Sequence, residues 1–186
     1  MPEAQKITEK ELDRISLLST PNKVLALVKI PSQKGFSKTA NKMIYCYRLQ
    51  DPGNAGTILR IADWYGINDV VFSSNSVDVF SPKVVQASMG AVLRINCSYD
   101  NEKNELLNEL KQKKYTLIAA DMKGEKLDSF RFPGKSVLIM GSESHGIGTE
   151  IKKQVDVFVT IERVGKAESL NVGVACGIIC QKMIFN

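Results

Sequence analysis

Three short clusters carry side chains that can do chemistry. In the first, Asn54 and Gly56 precede Arg60, the glycine by four residues. Arginine keeps its charge and offers five N–H donors in one plane, so it holds and stabilises anions rather than moving protons. A glycine one helical turn before it leaves room for a backbone, a ligand or a nucleic-acid strand beside the guanidinium, although a solvated surface arginine has the same spacing. The second cluster is Gly141-Ser142-Glu143-Ser144-His145-Gly146-Ile147-Gly148. Its glycines let main-chain groups approach a ligand directly, as in nucleotide sites. It lacks the Lys-Ser/Thr of a Walker loop and does not follow the first strand, where a dinucleotide fingerprint belongs. His145 is the chain's single histidine, so any Ser–His–Asp triad would have to use it; an exposed or backbone-bonded ring suits its place in the loop better. The third cluster, Ser169 and Asn171, stands before the apolar run Val172 to Ile184. A helix start there presents unpaired N–H groups and partial positive charge, which suit a capping side chain or a bound carboxylate.

The elements around these clusters alternate. Strands are predicted near 43–48, 69–73, 91–95, 115–120, 136–141 and 155–160, and helices near 55–65, 82–88, 101–113, 147–153 and 171–184. Short apolar strands alternating with amphipathic helices predict an α/β fold, a mostly parallel sheet with helices on both faces. Ligands of such sheets sit beyond the carboxyl ends of the strands. On the helix near 55–65, Ile58, Ile61, Ala62 and Tyr65 form one apolar face, with Gly56 and Arg60 opposite. The loop Ala119 to Gly124 follows a strand and suits either a pocket wall or a plain turn.

Residues 1–40 read as an N-terminal extension and linker, and 41–186 as the main domain. Thr8 and Glu11 form a capping box, with Ile7 and Leu12 as its staple, opening a helix from about Glu9 to Leu18. Val24 to Val28 reads as a buried strand, and Pro31 to Ala40 as a linker. One helix and one strand cannot close a core, so this part is expected to pack on the main domain or to be the remnant of something larger.

The composition is that of a globular domain: 44% hydrophobic and 24% charged over 186 residues. No run reaches the roughly 18 apolar residues of a membrane span, and the first residues lack the apolar core of a secretory signal. Cys46, Cys97, Cys176 and Cys180 fall in apolar segments without a histidine cluster, which predicts buried thiols rather than a metal site and suits a reducing cytosol. The net charge of +5 permits nucleic-acid binding without requiring it.

In combination the clusters are far more specific. Asn54-x-Gly56-x-x-x-Arg60, Gly141-x-Glu143-x-x-Gly146 and Ser169-Leu170-Asn171-Val172 resemble the three motifs of the SpoU (TrmH-like) RNA methyltransferases, members of the SPOUT class of S-adenosylmethionine-dependent enzymes. The resemblance runs from about Met43 to the C-terminus and takes in Ser81 to Ala91. Segment 9–30 is similar to the end of the accessory domain of longer, ribosomal-RNA-directed members.

The resemblance implies an α/β fold with a C-terminal trefoil knot, an exception to the rule against threaded chains. It implies a homodimer with the active site near the subunit interface, and Gly173 and Gly177 suit close packing there. S-adenosylmethionine would lie among Ala120, Gly141, Glu143, Gly146, Ile161, Ser169, Leu170 and Asn171, with main-chain contacts at Gly141, Ile161 and Leu170. Arg60, Asn54, Glu143 and Asn171 would serve the transfer of a methyl group to a ribose 2′-hydroxyl of RNA, ribosomal favoured over transfer, without a metal and in the cytoplasm. A non-catalytic RNA-binding protein and a base-directed SPOUT methyltransferase are the alternatives. Three residues depart from the family pattern. Glu162-Arg163 stands where Pro-Met is common, and Gln86 where a basic residue often is.

Overall fold

The computed structural model describes residues 4–18, 20–32, 35–37, 39–142 and 146–185. The chain divides into two compact units, Met1–Ser32 and Gln33–Asn186. In the first, α1 (Glu9–Ile15) opens on the expected capping box, Thr8 Oγ1 accepting from Glu11 N while the Glu11 carboxylate takes the Thr8 N–H at 2.8 Å. The helix ends at Ile15, short of Leu18, because Ser16 is already extended. The strand expected at Val24 to Val28 does not form. That segment is irregular, with Val24 80% and Leu27 95% exposed. A strand needs a neighbour to pair its N–H and C=O groups, and none of this unit's described residues forms one.

The second unit is built on six strands: β1 (Lys42–Cys46), β2 (Asp69–Phe72), β3 (Asn96–Tyr99), β4 (Thr116–Lys126), β5 (Ser136–Met140) and β6 (Val157–Thr160). They lie in the order β3-β2-β1-β5-β4-β6, and every pairing is parallel. Strand residues alternate between two cores, as a period of two requires. Ile44, Cys46, Phe72, Leu138 and Met140 join one, and Met43, Tyr45, Val71, Val137 and Ile139 the other. The first core is closed by α2 (Pro52–Trp64), α3 (Pro82–Ser88) and α6 (Val172–Phe185), the second by α4 (Glu105–Gln112) and α5 (Thr149–Lys152). The expected α/β architecture is therefore present, with both faces covered. Among the described residues no helix is long and apolar enough to cross a membrane.

Three elements differ from expectation. The strand predicted at 91–95 is instead a 3-10 turn, Ala91–Leu93, and the strand follows at Asn96–Tyr99. Met89 (φ 51°) and Gly90 (φ 84°) turn the chain in the left-handed region, and a short apolar run after such a turn fits a buried coil as well as a strand. Helix α2 begins at Pro52 rather than near 55, because Asp51 caps it, accepting from Asn54 N at 2.7 Å. Strand β4 runs on past 120. Its ladder with β6 breaks at Ala120 and resumes at Glu125, so Asp121 to Gly124 bulge out beside β6.

Candidate functional site

Where α2 and α6 meet, their first turns are joined by one amide pair. Asn171 caps α6, its Oδ1 accepting from Gly173 N at 2.9 Å and Val174 N at 3.3 Å. Those two donors fix the orientation of the amide, and Nδ2 then donates to Asn54 Oδ1 at 2.9 Å. Asn54 is itself placed by the Asp51 cap. The helices approach closely because glycine stands at the contacts. A Cβ on Gly173 would come within 2.9 Å of Thr57 Cγ2, and one on Gly56 within 2.5 Å of Ala87 Cβ in α3. Two expectations are corrected here. Gly56 is buried against α3 rather than open beside Arg60, so the backbone it admits is the protein's own. Gly173 meets Thr57 of the same chain, where a Cβ would not fit, so its small size is used inside the fold; Gly177 would make only an ordinary contact of 3.6 Å with Ile61.

Beside this junction lies a cavity of about 860 Å³, beyond the carboxyl ends of β5 and β6 and beside the bulge of β4. Its walls are Ala120 to Met122, Met140 to Ser142 with Gly146 and Ile147, and Thr160 to Val172 in part, with Ala175 and Ile179 of α6 at its base. The glycine-rich turn folds back on itself. Ser142 N donates to Gly146 O at 3.1 Å and Gly146 N to Ser142 O at 2.8 Å, with Gly146 at φ 62°. Gly141 is required by that fold, since a Cβ there would strike the Gly146 backbone. The opposite wall is different in kind. Among the described residues, the main chain from Ile161 to Leu170 makes no backbone–backbone hydrogen bond. Side chains hold it instead: Lys126 Nζ lies 2.7 Å from Glu162 Oε1, and Arg163 Nη1 donates to the Ala167 carbonyl at 3.0 Å. The Glu162 carboxylate raises the pKa of Lys126.

Of the residues singled out in the sequence, Ala120, Gly141, Gly146, Ile161, Ser169, Leu170 and Asn171 all line this cavity. Asn54 reaches it through Asn171. Glu143 and His145 lie outside the described residues. Arg60 does not line the cavity. It is exposed on α2, and among the described residues it makes no hydrogen bond or ion pair. Sequence reasoning missed the Lys126–Glu162 pair and a cluster behind the glycine-rich turn. There the Tyr47 hydroxyl donates to Glu150, and Arg48, left-handed at φ 49°, stacks on the Tyr47 ring with its guanidinium 3.7 Å from Glu150. Burial and the Glu150 carboxylate push Tyr47 up to about 12, while the hydroxyl's hydrogen bond lowers Glu150. No local pattern announces such pairs, because their members are far apart in the chain.

Known proteins are similar to this chain in sequence and in fold. The chain is 32% identical over 136 residues to an uncharacterised tRNA/rRNA methyltransferase of Archaeoglobus fulgidus, covering 73% of this chain and 61% of that protein. It is 28% identical over 174 residues to a 23S rRNA (guanosine(2553)-2′-O)-methyltransferase of Bacillus subtilis, covering 93% and 69%. An rRNA methyltransferase of Sinorhizobium meliloti, crystallised with S-adenosylmethionine bound, superposes with a TM-score of 0.73 at 28% identity, over 77% of this chain and 55% of that one. The chain thus spans less than two thirds of the archaeal relative and of the crystallised enzyme. The model of the SpoU rRNA Methylase family matches residues 41–181, from the start of the sheet into α6, and the chain belongs to that family.

Proposed function

We propose that this chain transfers the methyl group of S-adenosylmethionine to a ribose 2′-hydroxyl of RNA, with ribosomal RNA the favoured substrate. The observation that carries the reading is the Asn171–Asn54 bond, which ties the start of α2, and so the helix bearing Arg60, to the rim of the cavity. The cavity fits the cofactor. Its volume falls in the range of small-molecule sites, about 300–1,000 Å³. Met140, Val159, Val172, Ala175 and Ile179 give it an apolar side for an adenine, and the main chain of 161–170, without backbone–backbone bonds among the described residues, gives polar groups for its edges. Gly141, Ile161 and Leu170 would hold the cofactor through main-chain groups, with Ala120, Gly146, Ser169 and Asn171 around them. When bound, it supplies an electrophilic methyl group on a sulfonium.

What the chain adds is position and charge. The acceptor hydroxyl is a poor nucleophile until its developing negative charge is met. A guanidinium, with a pKa above about 12, is a very poor base. Arg60 therefore holds the hydroxyl or the adjacent phosphate and stabilises the oxyanion, while Asn54, Asn171 and Glu143 orient the ribose and the arginine. Fixing acceptor and methyl in line supplies much of the acceleration of such transfers.

The reading includes a homodimer with the site near the subunit interface. Val174, Ile178 and Phe185 on α6 and Trp64 on α2 leave apolar surface open, Phe185 72% and Trp64 84% exposed, which is the kind of surface that a second subunit covers. It also includes the knot, with the C-terminal segment threaded where its loops meet the cofactor, and the cytosol as the place of work. Residues 1–40 would be the extension and linker left of an accessory substrate-binding domain.

The test is to incubate the protein with isotope-labelled S-adenosylmethionine and total RNA, then digest and map the product by mass spectrometry. Label on a 2′-O-methyl nucleoside is the expected result. Label on a base favours the base-directed alternative, and cofactor and RNA binding without label the non-catalytic one. Sedimentation tests the dimer. A ligand at 100 times its dissociation constant stabilises by about 2.7 kcal/mol, so a thermal shift reports cofactor binding independently of turnover.

A further inference from the structure

The outer wall of the cavity is the weakest-held part of the site, and this chain holds it by charge. Among the described residues its packing on the core ends at Ile161: Val164 is fully exposed, and the position of a Cβ on Gly165 is open space. With no backbone ladder among the described residues, two side-chain bonds fix its course. The Lys126–Glu162 pair, at 2.7 Å, ties the beginning of the loop to the last residue of β4. The Arg163–Ala167 bond closes the loop on itself at 3.0 Å. These are the two positions at which the sequence departs from Pro-Met, so the residues that would stiffen or pack that stretch are replaced by residues that pair.

We propose that Lys126, Glu162 and Arg163 are positioning residues: their bonds hold residues 161–168 in the course in which the main chain meets the cofactor, and affinity for the cofactor is in consequence salt-sensitive. The inference rests on the cavity's being the S-adenosylmethionine site. Ordering a free loop opposes binding through lost conformational entropy, and a loop ordered beforehand loses less when the ligand arrives. The pair is solvent-exposed, so ions screen it over a Debye length of about 10 Å at 0.1 M salt and about 3 Å at 1 M. Arg163 donates to a neutral carbonyl, so its bond is less exposed to screening than the ion pair.

The experiment measures S-adenosylhomocysteine binding by calorimetry, at low and high salt, for the wild type, Lys126→Met, Glu162→Gln, the double variant and the charge swap Lys126→Glu/Glu162→Lys. Hydrogen exchange over residues 161–168 is followed in the same proteins without ligand, and in Arg163→Gln. An exposed ion pair of ordinary strength predicts that each single variant binds about threefold more weakly at low salt. The double variant should be no weaker than the singles, the swap should recover most of the loss, and the singles should lose part of the wild type's salt dependence. Exchange over 161–168 should quicken in each single variant and in Arg163→Gln. Single variants matching the wild type in both affinity and exchange overturn the proposal, as does a double variant whose loss is the product of the two singles. If the wild type binds no S-adenosylhomocysteine, the cofactor reading falls, and the proposal's ligand half with it. Exchange needs no ligand, so it distinguishes that failure from failure of the loop bonds themselves.

Discussion

Where α2 meets α6, a single methyl group on Gly173 would fall 2.9 Å from Thr57, and the Asn171 amide has every polar atom engaged. Across the cavity, the chain from Ile161 to Leu170 makes no backbone–backbone hydrogen bond among the described residues and leans on an ion pair and one arginine. The two walls serve different needs. Groups that must meet a reacting centre gain from being fixed in advance by packing, because small displacements there reduce rate steeply. Groups that must admit and release a ligand gain from free main chain and a weaker hold. A substitution on the helical wall should therefore change turnover or folding, and one on the loop wall should change affinity.

The sharpest way to break that contrast is Arg60→Ala. Arg60 is exposed and alanine suits a helix, so folding and cofactor affinity should stay near wild type. Methyl transfer should fall by roughly 10²–10³, the usual loss for one oxyanion-stabilising donor. Arg60→Lys should recover little, since a point charge does not reproduce the planar fork. Single-turnover rates set beside calorimetric affinities decide it. Wild-type transfer by the alanine variant would make Arg60 a surface residue, and loss of cofactor binding would make it structural.

Packing within the helical wall is probed by Gly56→Ala. The new methyl gains helix propensity of about 1 kcal/mol, but it lies 2.5 Å from Ala87 Cβ and 2.8 Å from α3 backbone, which cannot move alone. Overpacking of that kind costs about 1–3 kcal/mol, so a net loss of up to about 2 kcal/mol is expected, read as a fall of up to several degrees in Tm. Gly177→Ala is the control. Its nearest neighbour is Ile61 Cδ1 at 3.6 Å, an ordinary contact, and it should be neutral or gain up to about 1 kcal/mol. Equal losses at both positions would mean that the helices do not meet through Gly56.

Which parts of this were legible in the sequence follows from what periodicity reports. Alternation along β1, β2 and β5 marks chains buried on both faces, so the parallel sheet could be read directly. Helix α3 starts at Pro82, a position that tolerates proline, although the Ser81 side chain makes no capping bond. Periodicity reports burial but not the partner. Ala91 to Leu93 and Val24 to Val28 look alike as apolar runs, yet the first is a turn beneath α2 and the second has no strand beside it. The glycines show the same limit. Gly56 and Gly173 announce a close approach, but only the fold says that what approaches is α3 or α2 rather than a ligand or a second subunit. The Asn54–Asn171 bond spans most of the domain; the resemblance names each residue for the site, and neither it nor spacing pairs them.

Asn171→Ala removes the cap of α6 and its bond to Asn54 together. Loss of such a cap costs about 1 kcal/mol. Because the helix behind it is long and largely buried, the fold should survive with that modest loss. Asn171→Asp should keep the cap, since a carboxylate accepts from the same two N–H groups, but it cannot donate to Asn54 Oδ1. Denaturant unfolding should therefore rank wild type and Asp close together and Ala below them, while transfer should fall in both. A fully active Asp variant would show that the amide bridge is dispensable and that the helical wall needs no such fixing.

The smallest effect expected lies behind the glycine-rich turn, where the Tyr47 hydroxyl donates to Glu150. Burial and that carboxylate hold the phenol's pKa up to about 12, against about 10 in an unfolded chain. Below pH 10 both states keep the proton and the contribution is fully present. Between pH 10 and about 12 the unfolded chain has released it while the folded chain retains it, so stability declines as pH rises through that window. Tyr99, likewise pushed up to about 12 by burial, adds to the same decline. Tyr47→Phe should leave stability at pH 7 within about 1 kcal/mol of wild type, because Glu150 stays half exposed to water and keeps Arg48 nearby. Its unfolding free energy should then fall less steeply above pH 10 than that of the wild type, measured by urea titration at fixed ionic strength. Superimposable slopes would mean that Tyr47 titrates as a free phenol, and that the support behind the glycine-rich turn is as loose as the loop wall across the cavity.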